Sequence, residues 1–187
     1  MKKNLLFISW VLSLCCICQS NAFSYLTDTV ENHSYRVVWV IDGDTIKLDN
    51  GQHVRLIGID APENRDDAKL QRDLRRRHLT KAQELAMGRK SQEYLKKLIE
   101  GKKVKLKFDK AKYDQYHRTL AYVFLADGNF VNAKILKDGY AYPVFIKPDI
   151  KYAIAFKKLY EQAKANKKGL WQNGGYHEKH FKWFHSN

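Results

Sequence analysis

Residues 40–63 read Val40-Ile41-Asp42-Gly43-Asp44-Thr45-Ile46-Lys47-Leu48-Asp49-Asn50-Gly51-Gln52-His53-Val54-Arg55-Leu56-Ile57-Gly58-Ile59-Asp60-Ala61-Pro62-Glu63. Asp42-Gly43 and Asp49-Asn50-Gly51 are turn signals, because Asp, Asn and Gly accept the left-handed backbone that tight hairpins need. The runs around them are rich in β-branched residues and alternate in polarity, which suits strands. The stretch therefore predicts a three-stranded meander over residues 35–41, 45–48 and 53–59. Its turns and strand ends carry Asp44, Arg55, Asp60 and Glu63. A chain with formal net charge +14 has little general use for clustered carboxylates. Grouped acids with an arginine among them are what a divalent cation, a proton acceptor and an anionic substrate require.

Outward from this stretch, residues 64–81 are polar and heavily charged, with Arg72, Arg75, Arg76 and Arg77 close together. They read as an exposed loop with some helical character, and the basic run is either a solvated face or a device for steering polyanions. Tyr94, Leu95, Leu98 and Ile99 share one helical face, which predicts a helix over residues 88–99 closed by Gly101. Residues 104–108 and 119–125 give two more strands, the second turned by Asp127-Gly128. Helices are predicted over 130–137 and 150–166, with Pro143 and Pro148 between them. Five strands with a helix between the third and fourth match an oligonucleotide/oligosaccharide-binding (OB) fold: a Greek-key β-barrel of the α+β class with about three helices.

The ends are different in kind. Lys2-Lys3, the apolar run over residues 5–18 and Ser20-Asn21-Ala22 have the order of a signal peptide cleaved after Ala22, with a retained anchor as the alternative. The apolar run falls short of the roughly 20 residues a helical span needs, so no stable membrane span is expected after cleavage. Cys15, Cys16 and Cys18 all lie in this leader, which leaves the exported chain without thiols or disulfides. Residues 23–34 read as an N-terminal extension, 35–172 as one domain, and 173–187 as an aromatic, histidine-containing tail. Loss of Lys2 and Lys3 would lower the charge from +14 to +12, still enough to favour polyanions. The protein is expected to be periplasmic or extracellular and to act as a monomer.

Three blocks resemble the signatures of the staphylococcal nuclease (thermonuclease) family: residues 40–45, Arg55 through Asp60-Ala61-Pro62-Glu63, and Tyr116-His117-Arg118-Thr119-Leu120-Ala121-Tyr122. The similarity continues through Phe108-Asp109-Lys110, Gly139, Lys147-Pro148 and Ala163-Lys164 to Gly169-Leu170-Trp171. The resemblance implies a secreted, Ca2+-dependent endonuclease that hydrolyses DNA and RNA to 3′-phosphate ends. It implies one Ca2+ ion held by Asp44, Asp60 and the backbone carbonyl of Ala61, with Glu63 beside the attacking water as a general base. It also implies that Arg55 and Arg118 grip the scissile phosphate, with Tyr116 near the bound nucleotide.

The chain departs from the family pattern at Gln115, where lysine is common, and at His117, which replaces a glycine. The stretch Pro143-Val144-Phe145-Ile146 lacks the expected tyrosines. Each block alone has a plainer reading: Asp42-Gly43-Asp44 as a hairpin turn, Pro62 as a rigid strand exit, and the arginines as exposed cations. The alternative function is a noncatalytic nucleic-acid-binding barrel of the same fold.

Overall fold

A computed structural model describes residues 33–66, 70, 71, 74 and 79–174. Five strands close a barrel in the order β1 (Ser34–Val40), β2 (Thr45–Leu48), β3 (His53–Leu56), β6 (Thr119–Leu125) and β5 (Lys103–Lys107), and β1 closes it against β5. All pairings are antiparallel except β3 with β6, which is parallel, so this is the mixed OB barrel the strand order predicts. Val37, Ile46, Leu48, Val54, Leu106 and Val123 fill the interior with no exposed surface or almost none. Each such side chain contributes about 1.5–3 kcal/mol on burial.

The predicted third strand ends early. Gly58, with φ of +79°, turns the chain where the Phe156 ring lies only 2.6 Å from the position a Cβ would occupy. Ile59–Asp60 then leaves the barrel as β4 and pairs with β7 (Tyr142–Pro143). Tyr142 packs in a second core with Tyr160, Ala163 and Trp171, so Asp60 is backed by the helix α3 (Ala153–Ala165) rather than by the barrel.

Three α-helices of defined extent lie among the described residues: α1 (Lys81–Ile99), α2 (Val131–Lys137) and α3. Helix α1 begins seven residues before the predicted start, because Thr80 and Gln83 form a capping box that satisfies its first amides. Its buried stripe of Glu84, Met87, Gly88, Ser91, Leu95 and Ile99 faces the barrel. Leu70 is wholly buried, and Leu70, Gln71 and Leu74 have helical backbone, so the predicted exposed loop does not hold at Leu70. No helix among the described residues is long and apolar enough to cross a membrane. The predicted leader, Arg72, Arg75, Arg76, Arg77 and the histidines of the predicted tail lie outside the described residues.

Candidate active site

The site is built on the hairpin of β2 and β3. Val54 and Leu56 point into the barrel, so strand alternation turns Arg55 outward, opposite Thr45. Asp44, 3% exposed, stands just before Thr45 and has a partner on each oxygen. Its Oδ1 accepts the Thr45 hydroxyl at 3.0 Å and meets Arg55 Nη1 at 3.0 Å, while Oδ2 accepts the Ala61 amide at 2.7 Å. The other arm of Arg55 reaches Asp60 Oδ1 at 3.2 Å, and Nη1 also donates to the carbonyls of Ile59 at 2.8 Å and Leu56 at 3.2 Å. One planar fork therefore ties the turn after β1 to the strand exit at β4.

Burial opposes the charge of Arg55, but Asp44, Asp60, Asp42 and Glu63 together raise its pKa above the ordinary guanidinium value. All four acids are thus within electrostatic reach of one cation. Asp42, which the sequence reading took only as a turn residue, also accepts the Asp44 amide at 3.0 Å. Burial first, and the charge of Asp44 second, push its carboxyl up to about 7, against the pull of the backbone hydrogen bond and Arg55.

Helix α1 sets the position of Glu63. A Cβ at Gly88 would lie 2.1 Å from the Glu63 carbonyl oxygen, and a Cβ at Gly43 would lie 2.5 Å from Ala61 Cβ and 2.7 Å from Ser91 Cβ. Two missing side chains thus allow helix, turn and strand exit to meet at backbone distance. Gln92 donates to the carbonyls of Val40 at 3.1 Å and Ile41 at 3.0 Å, and Asn64 donates to Ile41 at 3.1 Å, fixing the same junction. Glu63 is 8% exposed.

Arg118 belongs to a separate loop organised by Asp114. The Asp114 carboxylate accepts the backbone amides of Tyr116 and Arg118 at 2.9 Å each and Arg118 Nε at 2.7 Å. Burial opposes its ionisation, yet these hydrogen bonds and the Arg118 charge hold its pKa below the usual carboxylate value. His117, with φ of 58°, occupies the left-handed region, which gives the physical reason a glycine suits that position. Tyr116 is 66% exposed with the Arg118 guanidinium 5.5 Å from its ring centre. Thr119 is the parallel partner of Val54 and Leu120 of Arg55, so Arg118 enters β6 next to the strand that carries Arg55.

Asp44, Arg55, Asp60 and the Ala61 amide are therefore in direct contact, Glu63 joins them electrostatically, and Arg118 approaches through strand register. Asp114, Gly88 and Ser91 were not singled out in the sequence. An acid four residues before Arg118, and small residues three apart on the inner face of α1, are the signals that mark them. Among the described residues no three His, Cys, Asp or Glu side chains gather as a metal cage. The oxygen donors gathered here are the carboxylates of Asp44 and Asp60, bridged by the Arg55 guanidinium. This sparse, all-oxygen set fits a calcium ion, which completes its shell with water, better than a transition metal that wants nitrogen or sulfur.

Fold and site together define an OB-barrel protein with an acid-lined, arginine-centred surface site. The family model described as staphylococcal nuclease homologue matches residues 53–173. The chain is 33% identical over 168 residues to a thermonuclease of Staphylococcus hyicus, covering 87% of this chain and 90% of that protein. It is 34% identical over 154 residues to a thermonuclease of Staphylococcus intermedius, covering 80% and 83%. A prophage-derived endonuclease, YokF, of Bacillus subtilis is 33% identical over 141 residues, covering 73% of this chain and 43% of that protein. The chain belongs to the staphylococcal nuclease family.

Proposed function

We propose that this nuclease of the staphylococcal nuclease family is a Ca2+-dependent endonuclease that cleaves DNA and RNA to leave 3′-phosphate ends, and that it acts outside the cytoplasm after loss of its leader. The observation that carries the reading is Arg55, held between Asp44 and Asp60 in a field of four carboxylates. Asp44, Asp60 and the Ala61 carbonyl would hold the ion. When bound, calcium supplies divalent positive charge against the negative charge that builds on the phosphate.

The remaining chemistry belongs to side chains. Glu63 takes the proton of the attacking water, whose oxygen forms the new bond to phosphorus. The bond from phosphorus to the 5′ oxygen breaks, and that oxygen takes a proton from solvent water and leaves as the alcohol. Arg55 and Arg118 present planar forks to the phosphate oxygens, so their hydrogen bonds strengthen as charge accumulates. Because Asp44, Asp60 and Asp114 already orient these forks, little side-chain ordering remains to be done when substrate arrives.

The test is a matrix of purified protein against single-stranded DNA, duplex DNA and RNA, with Ca2+, Mg2+ or chelator, followed by end-group analysis. Cleavage in Ca2+ that stops on chelation and leaves 3′-phosphate is expected. Binding without product would overturn the hydrolytic reading in favour of a binding barrel.

A further inference from the structure

The outer face of the β1–β2–β3 meander carries a second row of side chains beside the site. Thr45 opposes Arg55, and two residues along the strands Trp39 opposes Lys47 and Lys47 opposes His53. Strand alternation places these three on the same outward face as Arg55, about 7 Å away along the strand direction. Trp39 is 54% exposed, and Lys47 and His53 are exposed as well. Carrying the parallel register back one residue from the pair Val54–Thr119 sets His53 beside Arg118. The row therefore runs from an exposed indole, across a lysine and a histidine, toward Arg118 at the start of β6.

A tryptophan so exposed on a barrel strand has lost most of the burial that normally accounts for its size. Lys96 lies 5.4 Å from the centre of the Trp39 ring and steadies one side of it. Glu100 is engaged by the Val40 amide at 3.3 Å and by Lys96 at 3.4 Å. The face thus combines an aromatic platform with the charge of Lys47, which makes no ion pair among the described residues. That pairing fits a single-stranded polyanion with flat bases, whereas a second copy of a chain of net charge +14 would be repelled.

We propose that Trp39, Lys47 and His53 form a track, continuous with Arg118, that binds the nucleic-acid strand beyond the cleaved linkage, with Trp39 stacking a base and Lys47 meeting a phosphate. The assignment rests on the nucleic-acid substrate of the proposed function. It predicts that affinity depends on strand length, because a dinucleotide cannot occupy both the site and the far end of the row.

The experiment uses the full chain in EDTA, where hydrolysis does not run, with labelled oligothymidylates of two and about twelve nucleotides, within the range one OB fold binds. Trp39→Ala is expected to weaken the longer oligomer about 5- to 150-fold, the worth of one stacked base, and the dinucleotide much less. Trp39→Phe keeps a platform and should retain most of the affinity. Lys47→Gln should reduce the salt slope for the longer strand by about 0.7. An unchanged affinity for the longer strand in a folded Trp39→Ala protein, or an equal loss for both lengths, overturns the track. Failure of the wild-type protein to cleave in Ca2+ would instead strike the catalytic reading, and the length-dependent loss in EDTA would still stand for the track.

Discussion

Replacing Gly88 with Ala tests whether α1 sets the position of Glu63. In an exposed helix the change gains about 1 kcal/mol, because alanine is the better helix former. Here the added methyl would stand 2.1 Å from the Glu63 carbonyl oxygen, 2.2 Å from its carbonyl carbon and 2.6 Å from the Asn64 nitrogen. Favourable carbon contacts begin at about 3.5 Å, so helix and strand exit must separate by more than about 1 Å. All three atoms are backbone, so no rotamer change relieves the clash. Overpacking of this kind costs about 1–3 kcal/mol, and the upper end applies where nothing flexible can yield. Subtracting the helix gain leaves a net loss of about 1–2 kcal/mol, or a melting point lower by roughly 2–8 °C for a domain of this size.

The second readout of Gly88→Ala is catalytic. A base displaced by about 1 Å costs on the order of a hundredfold in turnover. Thermal unfolding followed by circular dichroism and single-turnover cleavage of a labelled oligonucleotide measure the two effects separately. A variant that melts at or above the wild-type temperature and cleaves at the wild-type rate would refute the reasoning outright. Lost stability with full turnover would show that Glu63 does not need this placement.

Arg55→Ala removes the cation that Asp44 and Asp60 share and leaves Asp44 buried without it. Stability should fall by about 3–5 kcal/mol by urea titration, and cleavage by at least about a hundredfold, while Arg55→Lys restores charge but not the two-armed geometry. His117→Gly releases a left-handed residue, which costs an L-amino acid about 1–2 kcal/mol, against the backbone entropy glycine loses; stability should rise by about 0.5–1 kcal/mol, and His117→Val should lower it. Burial opposes ionisation of Asp138, but the Tyr94 hydroxyl and the Lys134 ammonium hold its pKa below the usual value. Its contribution is therefore present above about pH 4 and lost as pH falls through the lowered folded-state pKa, so Asp138→Asn should flatten the acid limb of a stability-against-pH curve.

Local signals carried the barrel. The strands Thr45–Leu48 and Thr119–Leu125 were legible because Asp42-Gly43 and Asp49-Asn50-Gly51 bracket the first and Asp127-Gly128 closes the second. The third strand was read too long because Ile57-Gly58-Ile59 continues the apolar pattern through a bend. What stops it is the fit of Phe156 against Gly58, a contact made 98 residues away in the chain. The parallel pairing of β3 with β6 and the small β4–β7 sheet have no local signature, since they depend on which edges remain open after closure. At the site, the acids and Arg55 stood out by their type in a basic chain. The Asp114 brace, the role of Gly88 and the row from Trp39 to His53 did not, because each is a relation between elements rather than a property of one stretch.

The barrel's closure order has a consequence for how the polypeptide comes into being. β3 and β5 never touch; β6 is the slat between them, and its last residue is Leu125. A growing chain halted anywhere before that residue exposes two unzipped margins, each a row of unmet amides and carbonyls able to recruit a neighbour. Until β6 is made the margins of β3 and β5 stay open, which makes the incomplete product a natural target for proteases and chaperones.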